Sequence, residues 1–329
     1  MTAAPGCMAT KKSEEKRMKC LVIDYIDEEI YREFQKYMEV DLMMLPTKQT
    51  LLKIIEPYEV LIMRVDPEID EEVLDAAKNL RFIGVCSTGL NHIDLEAAKK
   101  RGIIIQNAPG MNANGVAELT ICKMLELARS TIQSNYEVQD RRQWNKYKYL
   151  GVELAGKTVG IIGFGSIGKR VGELCRVFGM RVLAYNPHGR PASYFEAQGA
   201  QAADLDEILR KSDFITIHAP LTDETRGMIS AQEIVKMKIG AYVINMSRGG
   251  IVVEQDMYAA LISGQLGGYA ADVMEEEFAG RRTSMSSPLI GCDRFIVSPH
   301  SGGQTKDAVY KISRYIFDKC SEALHFEKA

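Results

Sequence analysis

Four groups capable of chemistry fall where apolar strands are read to end: Arg64, Arg248, the acid run Glu275-Glu276-Glu277, and His300. A guanidinium presents a planar fork that matches a carboxylate. An imidazole exchanges a proton near neutral pH. A carboxylate hydrogen-bonded to an imidazole favours the charged form of the ring. Each group also has a plainer reading. Arg248 could be a solvated loop residue, the acid run a solvated face, His300 after Pro299 a hydrogen-bonded turn residue, and Arg64 a surface charge at a strand end. Four such groups beside a nucleotide loop favour a site. With a nicotinamide bound, the set suits proton-coupled hydride transfer. The histidine takes the hydroxyl proton of a 2-hydroxy acid, the arginine holds the carboxylate and polarises the forming carbonyl, and the cofactor carries the hydride.

The nucleotide loop is the stretch Lys157-Thr-Val-Gly-Ile-Ile-Gly-Phe-Gly-Ser-Ile-Gly168. Val159 to Ile162 reads as a buried strand, and Lys169 to Phe178 as a helix with Val171, Leu174, Cys175 and Phe178 on its apolar face. Gly163, Gly165 and Gly168 therefore sit where a strand turns sharply into a helix. The first permits the turn, the second lets a pyrophosphate approach the backbone, and the third lets helix and strand pack closely. The helix N-terminus supplies N–H donors to the phosphate. A second strand, Arg181 to Tyr185, ends at Asn186, about 20 residues on, where a dinucleotide site usually has an acid for the ribose hydroxyls. A GxGxxG alone is a weak signal. The strand, helix and second strand around it make it a strong one.

The elements that must position these groups alternate. Strands are read at Cys20 to Tyr25, Glu59 to Met63, Phe82 to Cys86 and Ile103 to Ile105, with helices at Asp27 to Met38, Pro67 to Asn79 and Asp94 to Arg101. A long helix is expected from Gly115 to about Asp140. After the glycine loop, strands are read at Phe214 to His218, Ala241 to Asn245, Gly268 to Asp272 and Phe295 to Ser298. Helices are read at Asp204 to Lys211, Ser230 to Met237, Glu254 to Ser263 and Thr305 to Phe326, with Ser230 and Glu233 as a capping box. Such alternation argues for parallel sheets with helices on both faces, where ligands bind beyond the carboxyl ends of the strands.

Composition narrows the function classes. The chain has 329 residues, 46% hydrophobic and 26% charged, with a formal net charge of −3. The length suggests about two domains, and the charge gives no reason to expect nucleic acid or an acidic membrane as partner. No apolar run reaches the roughly 18 residues of a membrane span. Seven cysteines (Cys7, Cys20, Cys86, Cys122, Cys175, Cys292, Cys320) are scattered singly without metal-ligand spacing. They read as thiols in a reducing cytosol, and no metal is expected. Residues 1–19 are polar and read as a disordered extension, within which Met8 or Met18 is an alternative start.

At this point the chain resembles the D-isomer-specific 2-hydroxyacid dehydrogenases. The match runs from Cys20 onward through seven ordered motifs: Ser87-Thr-Gly-Leu-Asn-His-Ile-Asp94, Asn114-Gly-Val-Ala-Glu118, Gly163-Phe-Gly-Ser-Ile-Gly168, His218-Ala-Pro-Leu-Thr222, Asn245-Met-Ser-Arg-Gly-Gly250, Ala271-Asp-Val273 with Glu277, and Ser298-Pro-His-Ser-Gly-Gly303. The resemblance implies Arg248, Glu277 and His300 as the catalytic set, with Glu277 selected by its distance from the Asp-Val pair. It implies a two-domain α/β fold, Rossmann-like and flavodoxin-like. A substrate domain, 20–110 and 298–329, would receive a dinucleotide domain, 111–297, with the active site in the cleft between them. Ser87, Thr88 and Gly89 would offer backbone N–H groups to the substrate carboxylate, and Arg64 would take a second anionic group such as a phosphate. Thr88, Gly163, Gly165, Ser166, Ile167, Gly168, Asn186, Ala219, Met246, Ser247, Arg248, Asp272, His300 and Gly302 match cofactor-contacting positions. A cytoplasmic homodimer acting on a small 2-hydroxy or 2-keto acid is expected, with the segment around Trp144 at the dimer contact.

Two departures stand out. Phe278 follows the glutamate where the family usually has Pro. Asn186 stands where NAD-dependent members carry Asp, and His188 and Arg190 lie just beyond. NAD is the expected cofactor; NADP is the alternative, because Asn does not repel a 2′-phosphate and His188 and Arg190 could attract one. About 29 residues follow His300, which leaves no room for the regulatory domain of long-form phosphoglycerate dehydrogenases. The pattern is most similar to short-form D-3-phosphoglycerate dehydrogenases, with hydroxypyruvate/glyoxylate reductases and D-lactate-type dehydrogenases as alternatives. A non-enzymatic alternative is an NAD(H)-binding corepressor-like scaffold.

Overall fold

A computed structural model describes residues 17–277 and 286–326. The chain divides into two compact units. One runs to Pro109 and resumes at Val309; the other is Gly110–Ala308.

The first unit carries β1 (Lys19–Val22), α1 (Glu28–Tyr37), β2 (Glu39–Leu42), α2 (Lys48–Ile54), β3 (Val60–Met63), α3 (Glu71–Ala76), β4 (Phe82–Val85), α4 (Leu95–Lys100) and β5 (Ile104–Asn107). Its sheet is wholly parallel in the order β2-β1-β3-β4-β5, the flavodoxin-like order. The central strands β3 and β4 are buried along their whole length, because helices cover both faces. Helix starts follow the expected chemistry. Asp27, Asp70 and Asp94 each accept a first-turn backbone N–H of α1, α3 and α4, which satisfies donors a helix leaves open. Of the extension read at 1–19, residues 1–16 lie outside the described residues, and Lys19 already opens β1.

The second unit carries α5 (Ala113–Arg129), α6 (Thr131–Gln139), β6 (Thr158–Ile162), α7 (Ser166–Val177), β7 (Arg181–Tyr185), α8 (Ala192–Glu196), β8 (Gln201–Ala202), α9 (Leu205–Lys211), β9 (Phe214–Ile217), α10 (Ala231–Ile234), β10 (Ala241–Asn245), α11 (Glu254–Ser263), β11 (Leu266–Ala271), β12 (Phe295–Val297) and the start of α12 (Lys306–Leu324). Its parallel sheet has the order β12-β11-β10-β9-β6-β7-β8. The order reverses between β6 and β9, which is the switch point at which such sheets bind ligands. One core lies under α5 and α7 and includes Met124, Val159, Ile161, Phe164 and Val171. The other lies under α9 to α11 and includes Ile208, Ile215, Val243, Met257 and Tyr269.

Two expectations change. The helix read as continuous to Asp140 breaks at Ser130, whose φ of +49° is left-handed and ends α5 before α6 begins. The return to the first unit comes at 309 instead of 298. Residues 298–302 stay with the dinucleotide unit because Asp272 ties them down: His300 N donates to the Asp272 carbonyl at 2.8 Å, and Gly302 N to its carboxylate at 2.7 Å.

Candidate active site

The glycine loop is held against the next strand across the switch point. Gly163 has φ +91°, and a Cβ there would meet Ala219 N at 2.4 Å and His218 C at 2.6 Å. Only glycine permits both the backbone angle and the approach. A Cβ on Gly168 would meet Gly163 O at 2.2 Å, so this glycine lets α7 pack onto β6. Gly165 differs: nothing lies within 4 Å of the position its Cβ would take. It caps α7 without any side chain on the helix N–H groups. An open approach beside uncapped donors is what a pyrophosphate requires.

The end of β7 carries Asn186, His188 and Arg190. Asn186 Oδ1 accepts from His188 N at 3.4 Å, and Asn186 O from Gly189 N at 2.9 Å, so the side chain organises its own turn. Two cations share one ring here. Lys169 Nζ lies 4.4 Å and the Arg190 guanidinium 5.2 Å from the Tyr194 centroid, while the Tyr194 hydroxyl donates to Phe164 O at 3.0 Å. His188 Nδ1 is 4.0 Å from Glu224 Oε2. The sequence reading gives Lys169 and Tyr194 no place in the site, because no local spacing links the first turn of α7 to α8.

Beyond β9 and β10 the loops interlock. Ser247 Oγ donates to Ala219 O, and Ser247 N to Asn245 Oδ1 at 3.1 Å. Asn245 Nδ2 donates to Arg248 O at 2.9 Å, and Arg248 Nη1 to Ser247 O at 2.7 Å. A Cβ on Gly249 would meet Met274 O at 2.1 Å and Glu275 N at 2.7 Å. The arginine loop therefore lies backbone to backbone on the acidic loop. Met246 is buried beside it, and Ile167 packs on the core from α7.

His300 and Glu277, distant in the chain, meet. His300 Nδ1 is 3.3 Å from Glu277 Oε2. The imidazole is 46% exposed and the carboxylate 14%, so the acid sits beneath and the ring faces solvent. Glu277 Oε1 is buried and has no hydrogen-bond partner among the described residues. His300 holds φ +50°, a strained value for a non-glycine residue that its neighbours must enforce. Asp272 does so. It is buried, and its carboxylate accepts from Ser298 Oγ, Ser301 N at 2.9 Å and Gly302 N. Its side chain, matched to a cofactor contact in the sequence, is here engaged with the histidine loop. Phe278 lies outside the described residues.

In the first unit, Arg64 follows β3 and Ser87-Thr88-Gly89 follow β4. Ser87 Oγ donates to Arg64 O at 3.1 Å, and Asn107 Nδ2 to Thr88 O at 2.6 Å. Burial pushes the Asp24 carboxyl up, opposed by the Tyr25 N–H and the nearby Arg64. Burial also pushes the Cys86 thiol up to about 12. Among the described residues no cluster of His, Cys, Asp and Glu could hold a metal ion, and no helix is long and apolar enough to cross a membrane.

The family described as "D-isomer specific 2-hydroxyacid dehydrogenase, NAD binding domain" matches residues 121–302. The chain belongs to the D-isomer specific 2-hydroxyacid dehydrogenase family. Within that family it is 35% identical over 313 residues to D-3-phosphoglycerate dehydrogenase of Methanocaldococcus jannaschii, covering 95% of this chain and 58% of the relative. It is 35% identical over 277 residues to hydroxypyruvate reductase of Thermotoga maritima, covering 84% of this chain and 88% of the relative. The chain thus spans a little over half the length of the phosphoglycerate dehydrogenase. D-lactate dehydrogenase of Aquifex aeolicus, solved with NAD and lactic acid, superposes with a TM-score of 0.80 at 28% identity, over 93% of this chain and 95% of that one.

Proposed function

We propose that the chain is an NAD(H)-dependent oxidoreductase that interconverts a 2-keto acid and a D-2-hydroxy acid, most similar in substrate to D-3-phosphoglycerate dehydrogenase. The observation that carries this reading is the contact of His300 Nδ1 with Glu277 Oε2, on loops of the unit that holds the glycine turn. Bound nicotinamide supplies or accepts the hydride. The chain's residues do the rest. Glu277 engages Nδ1 and so orients the ring, which directs Nε2 to the substrate oxygen. In reduction that nitrogen gives its proton to the carbonyl oxygen; in oxidation it removes the hydroxyl proton. Arg248 holds the substrate carboxylate as a planar fork and stabilises charge on the reacting oxygen. Ser87, Thr88 and Gly89 are assigned to the carboxylate, and Arg64 to a phosphate or second carboxylate.

For the cofactor, Gly163, Gly165, Ser166, Ile167 and Gly168 are assigned to the pyrophosphate, and Asn186 to the ribose. Thr88, Ala219, Met246, Ser247, Asp272 and Gly302 complete the nucleotide contacts. NAD(H) is the working cofactor. NADP(H) gains support from the missing carboxylate at Asn186 and from the paired cations on Tyr194. Hydroxypyruvate or glyoxylate reduction is the second reading, favoured by the Thermotoga relative, which the chain covers almost end to end. A homodimer is proposed through the segment after α6, where Trp144, Tyr147 and Leu150 are each more than 80% exposed. A cytoplasmic setting fits free thiols at Cys20, Cys86, Cys122, Cys175, Cys292 and Cys320.

The test is turnover of 3-phosphohydroxypyruvate, hydroxypyruvate, glyoxylate and pyruvate with NADH and with NADPH. Oxidation of a reduced cofactor by one of these acids supports the reading. Cofactor binding with no turnover of any of them would assign the chain to a scaffold role instead.

A further inference from the structure

The acidic loop that presents Glu277 is gripped by a residue outside the reacting set. Glu254 opens α11, whose preceding residue, Val253, provides no side-chain cap. A first-turn acid usually acts on its own helix, but this carboxylate turns away. Its Oε1 accepts from Glu275 N at 2.9 Å, and its Oε2 from Ser287 Oγ at 2.5 Å. One carboxylate therefore holds both Glu275, two residues before Glu277, and Ser287. A second tie closes beside it, where Glu276 Oε2 accepts from Ser286 N at 3.3 Å. Burial raises the Glu275 carboxyl and the neighbouring Glu254 raises it further, as two acids packed side by side require.

The same connection carries Arg248. The β10–α11 loop contains Arg248, presses Gly249 against Met274 and Glu275, and ends in Glu254. Gly249 brings the two backbones together, and Glu254 supplies the directional bonds that fix their register. Removing Glu254 would leave Glu275 N–H and the Ser287 hydroxyl without this acceptor, and Glu277 free to shift relative to His300. Displacement of a reacting group by about 1 Å can cost two orders of magnitude in rate.

We infer that Glu254 is a positioning residue for the Glu277–His300 pair, tying Glu275 and Ser287 to the helix that follows Arg248. The inference rests on the dehydrogenase reading above.

It is tested with Glu254→Ala, Glu254→Gln and Ser287→Ala, comparing kcat and KM for the keto acid that the wild type reduces, and the NADH Kd by fluorescence titration. Glu254→Ala is expected to lower kcat by about tenfold or more with the NADH Kd unchanged. Glu254→Gln should recover most of that loss, because its amide oxygen still accepts from Glu275 N and its amide nitrogen donates to Ser287 Oγ. Ser287→Ala should lower kcat less, in the same direction. Wild-type kcat in Glu254→Ala overturns the inference. So does a loss carried equally by the NADH Kd, or a Gln variant no better than Ala. If Glu254→Ala does not fold, Ser287→Ala decides: a lower kcat at unchanged NADH affinity upholds the inference, and wild-type kcat overturns it. A wild type that reduces no keto acid sinks the dehydrogenase reading and the inference together. A wild type that turns over, with indifferent variants, sinks the inference alone.

Discussion

At the scale of single residues, the proposed roles of His300 and Glu277 rest on one member being shielded and the other not. The carboxylate lies under the ring, and the ring's own left-handed backbone is held by Asp272. Asn186 is proposed to set a second property, the choice of cofactor. If Asn186 meets the ribose as proposed, changing it to Asp should shift the NADPH-to-NADH preference several-fold toward NADH; an unchanged ratio of the two Kd values would remove Asn186 from cofactor selection. His218 offers a test of stability. Its residue surface is half-buried, but Nδ1 is fully buried with no partner among the described residues, and Nε2 meets Thr216 Oγ. Burial pushes the imidazole down from 6.5 to about 3. The native ring therefore stays neutral where the unfolded ring takes up a proton. Stability from this site is intact above pH 6.5 and drains as pH falls toward 3, by at most about 1.4 kcal/mol per pH unit. Denaturant melts of His218→Gln should lose that slope between these limits, and an unchanged slope contradicts the burial argument. Arg248, His300 and the acid run 275–277 could be read in the sequence at strand ends, and the family resemblance singled out Glu277 within that run. Lys169, Tyr194 and Glu254 could not be given a role in this way, because their partners lie 25, 30 and 33 residues away or on other elements, and no periodicity encodes such contacts.

At the scale of elements, the strand–turn–helix of the glycine loop could be read directly, since buried parallel strands are continuous apolar runs and α7 has a helical apolar stripe. Gly168 carries a prediction. With its Cβ position 2.2 Å from Gly163 O, Gly168→Ala must push α7 off β6. It should lower stability by about 1–3 kcal/mol and weaken NADH binding, read by thermal melts and fluorescence titration. A variant with wild-type melting and affinity would show that the close packing is not needed. Short edge elements were hidden. β2 is mostly exposed and has no apolar run, and β8 has only two residues. The break at Ser130 was hidden as well, because neither glycine nor proline marks it. Its left-handed angle is closed by a backbone bond from Ser130 N to Glu126 O.

At the scale of the whole molecule, alternating strands and helices foretold two parallel sheets, and the strand orders place both sets of candidate residues at carboxyl ends of strands. The first unit resumes at 309, and Asp272 holds 298–302 within the other unit through side-chain bonds that strand and helix patterns do not reveal. The exposed Trp144, Tyr147 and Leu150 lead to an assembly prediction. The wild type should sediment as a dimer, and the triple variant Trp144→Ala, Tyr147→Ala, Leu150→Ala as a monomer. A monomeric wild type would contradict the dimer. The central claim is that the His300 imidazole moves the substrate proton. The most direct measurement is the steady-state rate of keto-acid reduction by His300→Ala, taken with its NADH Kd. The account predicts turnover lower by about two to four orders of magnitude with NADH affinity retained. Turnover equal to wild type, or a loss fully explained by weaker NADH binding, would contradict it.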